Sequence, residues 1–175
     1  MAEHHGTAPA TIGVLALQGA VAEHLAILRG LGTNARTVRT IGDLAGLSGL
    51  IIPGGESTAM ARLAVGTGLF AAIRERIDMG TLAVLGTCAG LILLSDRVEP
   101  AESVPESIGG LPITTLRNGF GNQLNSFEAE LDLEGRSITV AFIRAPQITN
   151  LGPDVRVLAR YEGEPVVVEH RNILA

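Results

Sequence analysis

Tryptophan is absent from this 175-residue chain, aromatic residues make up only 3% of it, and cysteine occurs once. Without large rings the core must be filled by Leu, Ile, Val and Ala, and a hydrophobic content of 46% with a mean hydropathy of +0.35 allows that. A single cysteine excludes an intrachain disulfide and fits a reducing compartment. No stretch approaches the ~20 uninterrupted apolar residues of a membrane helix, and residues 1–10 lack the apolar core of a signal peptide. The net charge is −5, and no cluster of basic residues stands out, which argues against nucleic acid as a primary partner. The length suits one domain with a substantial core. The expectation is a cytoplasmic protein with a flexible leader over residues 1–10 and a folded unit over 11–175.

Residues 12–17 are a continuous apolar run, as in a central parallel strand buried on both faces. After Gln18-Gly19, the residues Val21, Leu25, Leu28 and Leu31 fall along one face of a helix that Gly30 and Gly32 end. Residues 36–39 read as an exposed strand and 49–52 as a buried one, stopped by Pro53-Gly54-Gly55. Glu56-Ser57-Thr58 opens a helix carrying Met60 and Leu63, and a further helix over 69–77 turns Phe70, Ile73 and Ile77 inward. Residues 82–85 form the next buried strand. This alternation predicts a doubly wound α/β fold: three layers, with a mostly parallel central sheet flanked by helices and function at the C-terminal strand ends. The glycine-marked breaks after Leu17, Ile52 and Leu85 should then converge on one site. Residues 113–116, 127–131, 137–142, 155–160 and 166–169 are short strand candidates, expected to be antiparallel or at edges.

The lone cysteine lies in Gly86-Thr87-Cys88-Ala89-Gly90, where a strand turns into a helix. This Gly-x-Cys-x-Gly pattern mirrors the Gly-x-Ser-x-Gly nucleophile elbow, in which glycines permit a tight turn that exposes the nucleophile. A helix N-terminus also favours the thiolate. An isolated cysteine is otherwise a buried, inert thiol; the flanking glycines favour the nucleophile. Pro53-Gly54-Gly55-Glu56-Ser57 follows the neighbouring buried strand. It reads either as a loop whose N–H groups face a developing oxyanion, or as a turn with Ser57 or Thr58 as helix cap.

Taken together, Leu15-Ala16-Leu17-Gln18-Gly19, Pro53-Gly54-Gly55-Glu56-Ser57-Thr58 and Gly86-Thr87-Cys88-Ala89-Gly90 resemble the class I (triad) glutamine amidotransferases. Arg117-Asn118-Gly119-Phe120-Gly121-Asn122-Gln123, Asn125-Ser126-Phe127-Glu128 and Phe142-Ile143-Arg144-Ala145-Pro146 narrow the resemblance to the glutaminase subunits of pyridoxal phosphate synthases. The resemblance implies a flavodoxin-like α/β fold and a reaction in which Cys88 attacks the side-chain amide of L-glutamine, releasing ammonia and leaving a thioester for water. It maps the oxyanion hole to the backbone N–H groups of Gly55 and Ala89, and glutamine contacts to Gly55, Glu56, Ser57, Arg117, Ile143 and Arg144. It also implies a synthase subunit that takes the ammonia for pyridoxal 5'-phosphate, and no metal or organic cofactor. Gln18, Gly19 and His24 lie in a segment expected to face that partner.

In that family a strand near the C-terminus ends in Ser-Phe-His-Pro-Glu, which supplies the base and the acid that orients it. The sequence here ends at Asn172-Ile173-Leu174-Ala175, ahead of that motif. The expectation is therefore a domain without its catalytic His/Glu strand end and last helix, leaving an apolar sheet face exposed. Of the four histidines, His4 and His5 lie in the leader, His24 on the first helix, and His170 at a position that is not catalytic in the family. Two functional expectations follow. One is a glutaminase supplying ammonia to a synthase; the other is a glutaminase-like binding subunit impaired for want of a base. A dinucleotide-binding enzyme is disfavoured, since no Gly-x-Gly-x-x-Gly follows the first strand.

Overall fold

Short runs of Val, Leu and Ile, separated by amphipathic stretches, set the architecture. The computed structural model describes residues 10–101, 104–119 and 126–175. Residues 1–9 of the leader, Phe120 to Gln123 of the Arg117 element and Asn125 of the Asn125–Glu128 element thus lie outside the described residues. Strands β1 (Thr11–Leu15), β2 (Asn34–Val38), β3 (Gly49–Ile52) and β4 (Ala83–Gly86) alternate with helices α1 (Val21–Gly30), α2 (Ser57–Ala64), α3 (Leu69–Asp78) and α4 (Ala89–Leu94). The other described elements are a 3-10 turn at Ile41–Leu44 and the strands β5 (Ser95–Glu99), β6 (Leu111–Leu116), β7 (Phe127–Leu133), β8 (Arg136–Phe142), β9 (Gln147–Leu151), β10 (Arg156–Tyr161), β11 (Glu164–His170) and β12 (Ile173–Leu174).

A seven-stranded sheet runs β10-β11-β12-β4-β3-β1-β2. Its β2, β1, β3, β4 and β12 are parallel, and β11 and β10 continue antiparallel. The expected α/β fold with a mostly parallel sheet is what the chain adopts. Strand β5 pairs parallel with β6, and β6 antiparallel with β9, in a second sheet. Three strands had no counterpart in the sequence reading: β5, β9 and the two-residue β12 between β11 and β4. Each is brief or polar, and pairing with neighbours rather than local pattern makes it a strand.

Helices α2, α3 and α4 cover one face of the main sheet, where Met60, Leu69, Phe70, Ile73, Leu93 and Leu94 join Leu15, Leu50 and Ile52 in the main core. Each such side chain, fully removed from water, contributes about 1.5–3 kcal/mol before the entropy of ordering it. Among the described residues the other face carries only α1, with Leu25 over Val14 and Ile51. Beside α1 an apolar cleft of about 460 Å3 stays open, lined by Ile12, Leu28, Ile51, Leu85 and Leu174 among others. Leu31, grouped in the sequence with the apolar face of α1, lies just past the end of that helix and is 73% exposed, and Leu63 of α2 is 55% exposed.

The β7–β8 hairpin packs on the edge strand β10 through rings. Phe127 and Phe142 stack at 4.9 Å, and Tyr161 lies 5.3 and 5.2 Å from them. Arg156 of β10 bridges Glu134 at the hairpin turn and Glu169 of β11. No helix among the described residues is long and apolar enough to cross a membrane.

Candidate active site

The strand order places the ends of β1, β3 and β4 side by side, so the three glycine-marked breaks do converge. Cys88 is the N-cap residue of α4, with φ 51° and ψ −99°, a conformation that L-residues avoid and that neighbouring packing must hold. The strain sits on the cysteine. Its flanking glycines serve close approach instead: a Cβ on Gly90 would collide with the Ile52 carbonyl of β3, and one on Gly86 would stand 2.9 Å from the Gly90 carbonyl carbon. The elbow therefore seats directly on β3, next to the loop of residues 53–56.

That loop reaches the cysteine. A Cβ on Gly54 would stand 3.5 Å from Cys88 Cβ, and the backbone N–H groups of Ala89 and Gly55 favour the ionised thiol. Burial nevertheless pushes the thiol above its ordinary range, because losing hydration outweighs the influence of those two N–H groups. This reverses the expectation that a helix N-terminus would favour the thiolate, and α4 is only six residues long.

Glu56, rather than Ser57 or Thr58, caps α2: its Oε1 accepts the Thr58 N–H at 3.0 Å and its Oε2 the Ala59 N–H at 2.7 Å. Ser57 is 2% exposed, and its buried hydroxyl has no hydrogen-bond partner among the described residues. Arg117, following β6, reaches across to the same helix end. Its Nη2 lies 3.0 Å from Glu56 Oε1, and its Nη1 donates to Thr58 Oγ1 at 2.9 Å. Partial burial raises the Glu56 pKa, but hydrogen bonds from Thr58 and Ala59 and the Arg117 charge together hold it below the usual carboxylate value.

Ile143 and Arg144 form the exposed turn between β8 and β9, where Arg144 takes φ 48°. Gln147, which opens β9, pairs with Leu116 of β6, so the turn is delivered beside Arg117. Gln18 and Gly19 are exposed, yet they are bound to the same loop: Gln18 Oε1 accepts the Glu56 N–H at 2.7 Å, and Ala20 N–H donates to Gly54 O at 3.0 Å. His24 is half-buried in the first turns of α1. His170 pairs with Ile173, which pairs with Val84. That register puts His170 near the start of β4, away from the elbow at its other end, with Nδ1 3.3 Å from the Asp154 carbonyl oxygen. Sequence reasoning missed Thr58 as a partner of Arg117 and the side chain of Gln18 as a loop acceptor. Partners 59 and 38 residues away leave no local signal.

A family model described as the SNO glutamine amidotransferase family matches residues 14–175. The chain belongs to that family. This amidotransferase is 49% identical over 176 residues to the pyridoxal 5'-phosphate synthase subunit PdxT of a Nocardioides species, covering 97% of this chain and 87% of the relative. It is likewise 49% identical over 166 residues to the subunit of the same name from Tropheryma whipplei, covering 94% and 87%. A crystal structure of a glutamine amidotransferase superposes with a TM-score of 0.88 at 44% identity, over 93% of this chain and 86% of that one. PurLQS from Thermotoga maritima shares the fold alone, with a TM-score of 0.74 at 17% identity over 96% and 85% of the two chains.

Proposed function

We propose that this amidotransferase is a cytoplasmic glutaminase that hydrolyses L-glutamine to glutamate and ammonia, and delivers the ammonia to a synthase subunit making pyridoxal 5'-phosphate. The observation that carries the reading is a strained elbow cysteine seated against the 53–56 loop, with a Cβ on Gly54 only 3.5 Å from Cys88 Cβ and the Gly55 and Ala89 N–H groups favouring the thiolate. In this reading Cys88 Sγ bonds to the amide carbon, and the carbonyl oxygen gathers the negative charge that those two donors receive. The C–N bond then breaks, ammonia leaves with an added proton, and water cleaves the thioester to restore the thiol. N–H donors accept no proton, so the thiol proton passes to a separate base, which the resemblance assigns to the histidine of a Ser-Phe-His-Pro-Glu element.

The rim of the site suits an amino acid. Glu56 and Arg117 present opposite charges 3.0 Å apart, complementary to the ammonium and carboxylate of a free α-amino acid. Ser57, Ile143 and Arg144 complete the proposed glutamine contacts, and Gln18, Gly19 and His24 the partner-facing segment. The supporting experiment measures ammonia released from glutamine with and without the synthase, beside Cys88→Ala. Release that rises with the synthase and vanishes in Cys88→Ala is expected. Release unaffected by Cys88→Ala, or none under either condition, refutes the proposal.

A further inference from the structure

We propose that Tyr161 is a positioning residue for glutamine: through the Phe142 ring it holds the turn that presents Ile143 and Arg144, an inference that rests on the glutaminase reading above. Among the described residues, β7 and β8 pair only with each other, as a two-stranded sheet separate from the other two. Phe127 and Phe142 stand directly opposite each other at the base of this hairpin, their rings stacked at 4.9 Å and 12° from parallel. Tyr161, the last residue of β10, tilts 35° against both. The chain leaves β8 at Phe142 and enters the turn at once.

The two ends of that turn are held differently. On the far side Pro146 is buried, with a φ fixed by its own ring, and Gln147 pairs with Leu116 of β6. Gly119 lies so close that a Cβ there would stand 3.1 Å from the Gln147 nitrogen. On the near side the exposed Ile143 and Arg144 give the turn little packing of its own, and it hangs from Phe142. The hairpin tip is tied to β10 by Glu134 and Arg156, but both side chains are exposed, and such ion pairs hold weakly. Stacked and tilted rings add attraction beyond the area they bury. The ring cluster is therefore the firmer of these two ties to β10 and the one next to the site, and Tyr161 supplies the main-sheet half of it.

The test uses the full chain in two assays. Trypsin cleavage after Arg144, followed by mass spectrometry without glutamine, reads how often the turn opens. Cleavage after Arg171, exposed in the turn between β11 and β12, is the internal reference. Calorimetric titration with L-glutamine in a Cys88→Ala background, where none is consumed, reads the dissociation constant. Tyr161→Leu keeps an apolar side chain and removes the ring, Tyr161→Phe keeps the ring, and Glu134→Gln releases the hairpin tip alone. In Tyr161→Leu, cleavage after Arg144 is expected to rise at least about fivefold while cleavage after Arg171 stays within about twofold. Glutamine should bind that variant about fivefold more weakly, as when about one-fifth of the molecules present the competent turn. Tyr161→Phe and Glu134→Gln should stay within about twofold of the parent in both assays. Faster cleavage with unchanged glutamine affinity makes Tyr161 a structural residue only and overturns the proposal. Unchanged cleavage, equal acceleration at both arginines, or an equal effect of Glu134→Gln overturns it too. If the parent binds no glutamine at all, the glutaminase reading fails and carries this inference with it, whatever the cleavage pattern.

Discussion

Replacing Gly90 with alanine sets two effects of opposite sign against each other. Gly90 is the second residue of α4, and by helix propensity alone alanine there stabilises by up to about 1 kcal/mol. Close packing says otherwise. The added Cβ would stand 3.1 Å from the carbonyl carbon of Ile52 and 3.2 Å from its Cβ, with the carbonyl oxygen nearer still. Those atoms belong mainly to the backbone of a central strand, so no rotamer change relieves the contact; α4 must lift away from β3. Overpacking of this kind costs about 1–3 kcal/mol; contact with rigid backbone belongs at the upper end, leaving a net loss of about 1–2 kcal/mol. Gly30→Ala is the internal control, because nothing lies within 4 Å of a Cβ at that position near the end of α1. Urea unfolding read by circular dichroism is expected to give a lower midpoint for Gly90→Ala, with unchanged slope, and an equal or higher midpoint for Gly30→Ala. A midpoint for Gly90→Ala at or above wild type would falsify the claim that close approach, not turn conformation, requires glycine there. The displaced elbow should also slow glutamine turnover, since misplacement by about 1 Å costs on the order of 100-fold.

Three further outcomes follow from the site. The Cys88 pKa is raised on folding, so its contribution is complete below the unfolded thiol value of about 8.5 and is lost as pH rises through the folded one; stability should fall on the alkaline side, and Cys88→Ala should remove that slope. The Glu56 pKa is lowered, so its contribution is present above the unfolded value of about 4.3 and lost as pH falls through the folded one. Glu56→Gln should flatten this acid limb, and Glu56→Ala should cost about 1 kcal/mol of unfolding free energy through the lost cap. Arg117→Lys loses the fork that spans Glu56 and Thr58; the glutamine concentration for half-maximal ammonia release should rise about tenfold, and an unchanged value would remove Arg117 from substrate binding.

The residues that announce the site in the sequence are those whose neighbours along the chain define it. Cys88 between two glycines and Gly55 after a buried strand both carry the shape of their turns in local pattern, and the structure places them together. The relation between Glu56, Thr58 and Arg117 is different: it depends on β6 of the second sheet returning over the end of α2, and no periodicity encodes that. Hydroxyl side chains commonly cap helices, so Ser57 and Thr58 read as caps; Glu56 takes that place instead, with a longer side chain that satisfies two N–H groups at once. In the same way β12 is two residues long and becomes a central strand only because β4 and β11 flank it.

The ring cluster of Phe127, Phe142 and Tyr161 gives the molecule a built-in optical reporter. Tyr161 is the only tyrosine, and no tryptophan is present to mask it or drain its excited state. Emission excited beyond the phenylalanine absorption band therefore originates from a single phenol, wedged where the β7–β8 hairpin meets the main sheet. The hairpin leads through Ile143 and Arg144 to the rim of the site. A change in that emission during titration with glutamine would register the fit of the hairpin against β10, in the native chain and with no label attached.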